Sequence, residues 1–272
     1  MQLPRLIVMD LDGTLLPESK ELTARTRQVM QNIAALGVRL ALASGKFYHL
    51  TRHYADLLGP DTPVVALDGA RIRFGPEETT TGGIPREVAQ SLLEEFGAGG
   101  EPVFADNGAD EMVLALPDGD GEIPLSIQNW ATRIQRVTHV GRHLAGDPAV
   151  VVFYHSDPAR LQKIAAAAER RFGAMRATIH KNPVNGTGRV MLQRNDLTKG
   201  TGVATLCAGI GIEPGECMVF GDWFNDLPMF DAGCVNVAMH NGQPKLKERA
   251  DHITRRDCEH DGVADFLERA FL

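Results

Sequence analysis

Three apolar runs in this chain stop abruptly at polar residues, and no other feature constrains the fold as much. Leu6-Ile7-Val8-Met9 ends at Asp10, Val38-Arg39-Leu40-Ala41-Leu42-Ala43 ends at Ser44, and Cys217-Met218-Val219-Phe220 ends at Gly221-Asp222. A short continuous apolar run bounded by turn residues reads as a strand buried on both faces. Strands of that kind belong to parallel sheets covered by helices, and in such sheets the ligand crevice lies beyond the carboxyl ends of the strands. Asp10, Ser44 and Asp222 would then meet on one rim.

The segments between the runs agree with that reading. Residues 23–36 carry helical spacing at Val29, Ile33 and Leu36, with Thr23 as N-cap and Gly37 as stop. Residues 47–58 read as a helix and 63–68 as a strand. The pattern then changes. Residues 72–74 resemble a hairpin arm, 86–96 a helix, and 103–106 and 111–116 strands around Asn107-Gly108. Further helices are expected at 123–132 and 158–172. Strands are expected at 149–155, 176–180 and 189–193, the last two joined through Asn185-Gly186. Alternation returns after Lys199, with helices at 201–209, 243–250 and 263–271 and strands at 217–222, 235–239 and 252–254. Alternating strands and helices build a parallel sheet of right-handed crossovers; strands paired through turns suggest an α+β module. The expected architecture is α/β, a Rossmann-like doubly wound parallel-sheet core (1–83 and 189–272) with an inserted α+β cap (84–188).

Size and charge narrow the function. A chain of 272 residues can bury a large core. With a net charge of −7 it offers no field for nucleic acid or an anionic membrane surface. No apolar run approaches the roughly 18 residues of a membrane span. Asp10 and Asp12 interrupt any secretory leader, so a cytoplasmic location is expected. Cys207, Cys217, Cys234 and Cys258 lack zinc-type spacing, and Cys217 and Cys234 read as small core residues.

The rim residues have the makings of phosphoryl transfer, which needs a nucleophile, a metal, positive charge and an acid/base. Asp10 is placed to attack phosphorus, and Asp12 to protonate the leaving oxygen and then activate water. Asp222 and Asp226, with Asp10, would supply oxygens to Mg²⁺, without which the carboxylates would repel one another and the substrate. The Ser44 hydroxyl and the Gly45 backbone N–H suit a phosphate at a helix start. Lys199 supplies the balancing point charge. Each residue also has a plainer use: Asp-Gly as a turn, Ser44 as a helix cap, Asn225 as a turn former.

Taken in order, Asp10-Leu11-Asp12-Gly13-Thr14, Ser44-Gly45-Lys46, Lys199-Gly200, Gly221-Asp222 with Asn225-Asp226, and Asp261-Gly262-Val263-Ala264 resemble the haloacid dehalogenase superfamily. The likeness is to phosphatases of the Cof-like type with a C2 (IIB) cap, and it spans the whole chain. The resemblance implies Asp10 as nucleophile and metal ligand, and Asp12 as acid/base with its backbone carbonyl on the metal. It makes Asp222 a metal ligand supported by Asp226, and Ser44, Lys199 and Asn225 the phosphate contacts. It also implies a cap that closes over the crevice and chooses the substrate. The expected activity is Mg²⁺-dependent hydrolysis of a small phosphorylated metabolite, a sugar or polyol phosphate, by a monomer or homodimer. A phosphomutase or phosphotransferase using the same aspartyl-phosphate, and a non-catalytic phosphate sensor, are the alternatives.

Several positions depart from the family pattern. Lys46 replaces a frequent arginine. Asp68-Gly69-Ala70 stands where Asn-Gly-Ala is common, so Asp68 is expected to reach a substrate hydroxyl or a basic neighbour. Trp223 and Phe224 are bulky where small or polar residues are usual. In the insert, His139, Arg142 and His143, and His180 with Lys181, suit either a solvated surface or a second anionic group on the substrate. Trp130 reads as cap core.

Overall fold

The computed structural model describes residues 1–74, 78–80, 82–97, 101–108, 111–116, 131–181 and 188–272. The chain divides into two compact units, Met1–Thr81 with Thr198–Leu272, and Gly82–Leu197.

The first unit is built on an eight-stranded sheet. Its first five strands are β1 (Leu6–Met9), β2 (Arg39–Ala43), β3 (Val64–Ala66), β4 (Arg71–Arg73) and β5 (Glu78–Thr80). After the six strands of the second unit come β12 (Cys217–Gly221), β13 (Val235–Ala238) and β14 (His252–Ile253). The order is β14-β13-β12-β1-β2-β3-β4-β5. Pairings from β14 to β3 are parallel; β4 and β5 are antiparallel additions. Alternation along β1 explains why both faces are covered. Ile7 and Met9 point into one core with Val29, Met30 and Ile33 of helix α1 (Ala24–Ala35). Leu6 and Val8 point into the other, with Val203 and Leu206. Thr23 caps α1 by accepting from the Thr26 N–H at 3.0 Å. It also donates to Asp261 at 2.6 Å, tying α1 to the final helix.

In the second unit, six strands run in the order β10-β11-β9-β6-β7-β8. They are β6 (Val103–Asp106), β7 (Glu111–Ala115), β8 (Arg133–Arg136), β9 (Val151–His155), β10 (Met175–Lys181) and β11 (Gly188–Arg194). Arg86–Phe96 and Pro158–Arg171 are helices, and Leu92, Leu93, Phe96, Leu161 and Ile164 pack on the face that carries Val151, Phe153, Val190 and Leu192. Val140–His143 is a single 3₁₀ turn carrying Arg142 and His143, both exposed.

Three expectations need correction. The insert was expected to end at residue 188, but β11 pairs antiparallel with β9 and β10, so its residues belong to the second unit, which runs to Leu197. The helix expected at 243–250 is only Pro244–Lys247, because the following amides turn back three residues, Arg249 to Leu246 and Ala250 to Lys247. Most of the helix expected at 123–132 lies outside the described residues, as do Trp130 and Asn185-Gly186. Ala131 and Thr132, which are described, are not helical and lead into β8, a four-residue strand whose one apolar residue, Ile134, gives no repeat to reveal it.

One helix positions chemistry directly. Lys199–Ile210 begins with a capping box. Thr198 Oγ1 accepts from the Thr201 N–H at 3.1 Å, and Thr201 Oγ1 accepts from the Thr198 N–H at 2.9 Å. Gly200 lies against the Pro228 carbonyl, where any Cβ would collide with backbone. Gly200→Ala should therefore push the helix start outward, lowering stability by about 1–3 kcal/mol. Urea unfolding measures this, and a midpoint equal to wild type would show that the contact yields freely.

Candidate active site

β1 lies between β12 and β2 in the sheet, so the strand ends at Asp10, Ser44 and Gly221-Asp222 are neighbours on one edge. Asp10, at the end of β1, is buried and donates its N–H to the Phe220 carbonyl at 3.1 Å. Its Oδ1 accepts from Lys199 Nζ at 2.5 Å. The same ammonium donates to Asp226 Oδ1 at 2.6 Å. Asp226 Oδ2 accepts from the N–H groups of Asp222 and Trp223, each at 2.9 Å. Both oxygens of Asp226 are thus engaged, one fixing the lysine and the other fixing the turn that carries Asp222. Asp222 Oδ1 accepts from Thr14 Oγ1 at 3.0 Å. Its carboxylate occupies the space a Cβ would fill at Gly13, whose φ of +81° also favours glycine.

Oxygens of Asp10, Asp222 and Asp226 all lie within 4.8 Å of one another. Three carboxylates facing one ammonium leave two negative charges uncompensated when all are ionised. Burial pushes the Asp10 carboxyl up to about 8, with Lys199 opposing and Asp226 adding to the rise. Burial and the Asp226 charge push Asp222 up to about 6. Lys199 is pulled down by burial, but Asp10, Asp226 and Asp68 outweigh that and hold it charged. An all-oxygen, electron-rich donor set of this kind fits a hard divalent cation.

Asp12 stands apart. Its carboxylate is half-exposed and meets Lys20 at 2.9 Å and Lys46 at 2.5 Å. Burial would raise its carboxyl, but hydrogen bonds from Lys46 and Lys20 outweigh it and hold the group below its usual range. Ser44 is buried, and its Oγ accepts from the Lys46 N–H at 3.2 Å, as an Asx-like turn does. Gly45 faces Asp68, whose Oδ1 would lie 3.1 Å from a Cβ there. Asn225 is exposed and donates to Asp68 Oδ1 at 3.2 Å. Leu67 and Asp68 both sit in the left-handed region, with φ of 50° and 52°. Asp68 therefore reaches Asn225, a neutral neighbour, and lies close enough to Lys199 to raise it.

Asp10, Lys199, Asp222 and Asp226 thus form one connected cluster, while Asp12 joins the Ser44-Gly45-Lys46 turn through Lys46. Sequence reasoning missed Thr14, Lys20 and the ammonium of Lys46 as partners. Lys20 leaves no local signal, since only the path of the chain brings it to Asp12. In the second unit, burial and Arg189 lower His180, and His139 and Arg142 line a cavity of about 220 Å³ with Leu93 and Val103. Cys207, Cys217 and Cys234 are free and buried. Among the described residues no helix is long and apolar enough to cross a membrane.

A doubly wound α/β core with carboxylates and a lysine at the carboxyl edge of its sheet defines a hydrolase of the haloacid dehalogenase class. The chain belongs to the haloacid dehalogenase-like hydrolase family, whose profile matches residues 7–267. It is 26% identical to a pyridoxal phosphate phosphatase of Escherichia coli, covering 97% of each chain. It is 25% identical to a 5-amino-6-(5-phospho-D-ribitylamino)uracil phosphatase of Bacillus subtilis, covering 98% of each. Its fold superposes on a solved haloacid dehalogenase-like hydrolase of Bacteroides thetaiotaomicron with a TM-score of 0.83, 26% identity, and 98% and 100% of the two chains covered.

Protonated carboxyls do not ligate, so a cation entering this cluster must displace protons from Asp10 and Asp222. Their raised values, about 8 and about 6, place that competition between pH 6 and 8. Without the cation the fold favours the protonated acids and loses stability as the pH rises from about 4 toward 8. The thermal stabilisation produced by excess Mg²⁺ should therefore be larger at pH 8 than at pH 6. Equal shifts at both values would show that the ion binds elsewhere. Lys199→Met leaves the Asp10–Asp226 pair without its cation and should cost about 3–5 kcal/mol in chemical unfolding at neutral pH.

Proposed function

We propose that this chain is a Mg²⁺-dependent phosphatase that hydrolyses a small phosphorylated metabolite through an aspartyl-phosphate on Asp10. The observation that carries the reading is the buried cluster in which Lys199 bridges Asp10 and Asp226 beside Asp222. Lys199 engages Oδ1 of Asp10, leaving Oδ2 as the attacking atom. Mg²⁺, held by Asp10, Asp222 and the Asp12 backbone carbonyl, would neutralise charge on the carboxylates and on the phosphate. Asp226 works from behind, since Lys199 and two amides take both its oxygens.

In the first step Oδ2 of Asp10 bonds to phosphorus while the ester P–O bond breaks. The departing oxygen takes a proton from Asp12 and leaves as the alcohol. Water then attacks phosphorus, gives its proton to Asp12 and breaks the bond to Asp10, releasing inorganic phosphate. Between turnovers the two lysines favour the Asp12 carboxylate, the form that accepts a proton from water. Its donation as an acid needs at least one of those contacts to open. Ser44, the Gly45 N–H, Lys199 and Asn225 are the groups for the phosphate oxygens.

The names of the similar E. coli and B. subtilis proteins support phosphate-ester hydrolysis. The substrate is read as a sugar-like or polyol phosphate, with the phosphate on an aliphatic arm, chosen by the inserted unit. A cytoplasmic enzyme, as monomer or homodimer, suits such a substrate.

Metal-dependent release of p-nitrophenol from p-nitrophenyl phosphate, abolished by EDTA and restored by Mg²⁺, is the expected result. Asp10→Asn should lower kcat by about three orders of magnitude or more, as loss of a covalent nucleophile does. Near-normal turnover by that variant would remove Asp10 as nucleophile. Transfer to a sugar acceptor in excess of hydrolysis would instead make the enzyme a phosphotransferase.

A further inference from the structure

Trp223 and Phe224 are 53% and 47% exposed, although Asp222 just before them and Asp226 two residues beyond them are buried in the acidic cluster. Their rings meet edge to face, with centroids 5.4 Å apart and planes at 67°. Neither ring belongs to the two hydrophobic cores of the first unit. The ledge is nonetheless fixed, because the Trp223 N–H donates to Asp226 Oδ2 at 2.9 Å. Immediately after the rings, Asn225 donates to Asp68 at 3.2 Å, so a polar edge adjoins the apolar one.

Two large rings held in water at the lip of a charged site have no folding role to explain them. Leaving them exposed forgoes the burial energy such side chains normally supply. A flat π-surface laid on them would recover it through offset stacking, which tolerates many ring types. A hydrated polyol would recover little. The Asn225–Asp68 edge adds hydrogen-bonding groups in reach of polar substituents on such a ring.

We infer that Trp223 and Phe224 form a stacking ledge for a planar aromatic or heteroaromatic ring on the leaving-group side of the phosphate ester. The inference rests on the phosphatase reading and deepens it: the substrate carries a ring beyond the aliphatic arm that bears its phosphate. The pair then selects among esters that the carboxylate cluster treats alike.

The test compares kcat/KM for 2-phenylethyl phosphate and for glycerol 1-phosphate in wild type, Trp223→Ala with Phe224→Ala, Trp223→Leu and Trp223→Phe. Stacking predicts that the aromatic-to-aliphatic ratio falls about tenfold in the double alanine variant, mainly through KM. Trp223→Leu, which keeps apolar bulk without a ring, should fall in the same direction, and Trp223→Phe should recover most of the ratio. Hydrolysis of both esters with an unchanged ratio in the variants overturns the ledge and leaves the phosphatase reading standing. Equal losses on both esters also overturn it, because rings that stack on a planar leaving group would not serve glycerol 1-phosphate equally. A wild type that hydrolyses neither ester overturns the phosphatase reading and the ledge together.

Discussion

An ammonium cut off from water needs opposite charge around it, and Lys199 finds it in Asp10 and Asp226. Only 1% of its side chain is exposed, so the cost of desolvation is close to complete and the two carboxylates must offset it. Those partners lie 189 and 27 residues away in sequence. The bridge therefore welds the end of β1, the start of the helix at Lys199 and the turn after β12 into one block. The capping box at Thr198 and the tight approach of Gly200 to Pro228 fix where that helix begins, and so where the charge sits.

Asp226 shows how one carboxylate serves two ends. Its Oδ1 fixes the lysine and its Oδ2 closes the turn through two amides. A group so fully engaged makes a better frame than ligand, which leaves Asp10 and Asp222 as the acids with one oxygen, Oδ2, outside these contacts. Thr14 then holds Asp222 from the opposite side, through the loop that Gly13 allows to pass close by. Asp10 and Asp226 are thus oriented by the lysine at a helix start and Asp222 by the loop after β1, so the cluster's geometry depends on three separate segments rather than on any one loop.

Much of this was legible from residues alone, for identifiable reasons. The runs before Asp10, Ser44 and Asp222 are apolar on both faces because both faces of the sheet are covered, and that pattern survives without structural knowledge. Thr23 announces α1 because its hydroxyl satisfies a free helix amide. Strand β8 was invisible because Arg133, Gln135 and Arg136 give no alternation. The boundary at 188 fell between the two strands that Asn185-Gly186 was read as joining, and the pairing of β11 with both β10 and β9 puts it in the second unit. Among site residues, the cluster acids carried a motif. Thr14 stood in the first motif without its contact to Asp222 being legible, and Lys20 stood in none, because both contacts come from where the chain folds back.

The overall charge of −7 makes the local arrangement consequential. A dianionic phosphate approaching this protein meets repulsion at long range, and at short range a cluster that carries two uncompensated negative charges whenever its three acids are ionised. Lys20 and Lys46 do not relieve that, since both are committed to Asp12. Lys199 does not relieve it either, since two acids already share it. Burial answers those two charges by retaining protons on Asp10 and Asp222, and a divalent cation that displaced both would answer the same two charges while offering the phosphate oxygens a Lewis acid. The exposed Trp223–Phe224 pair is an apolar part of the rim that this charge balance does not touch.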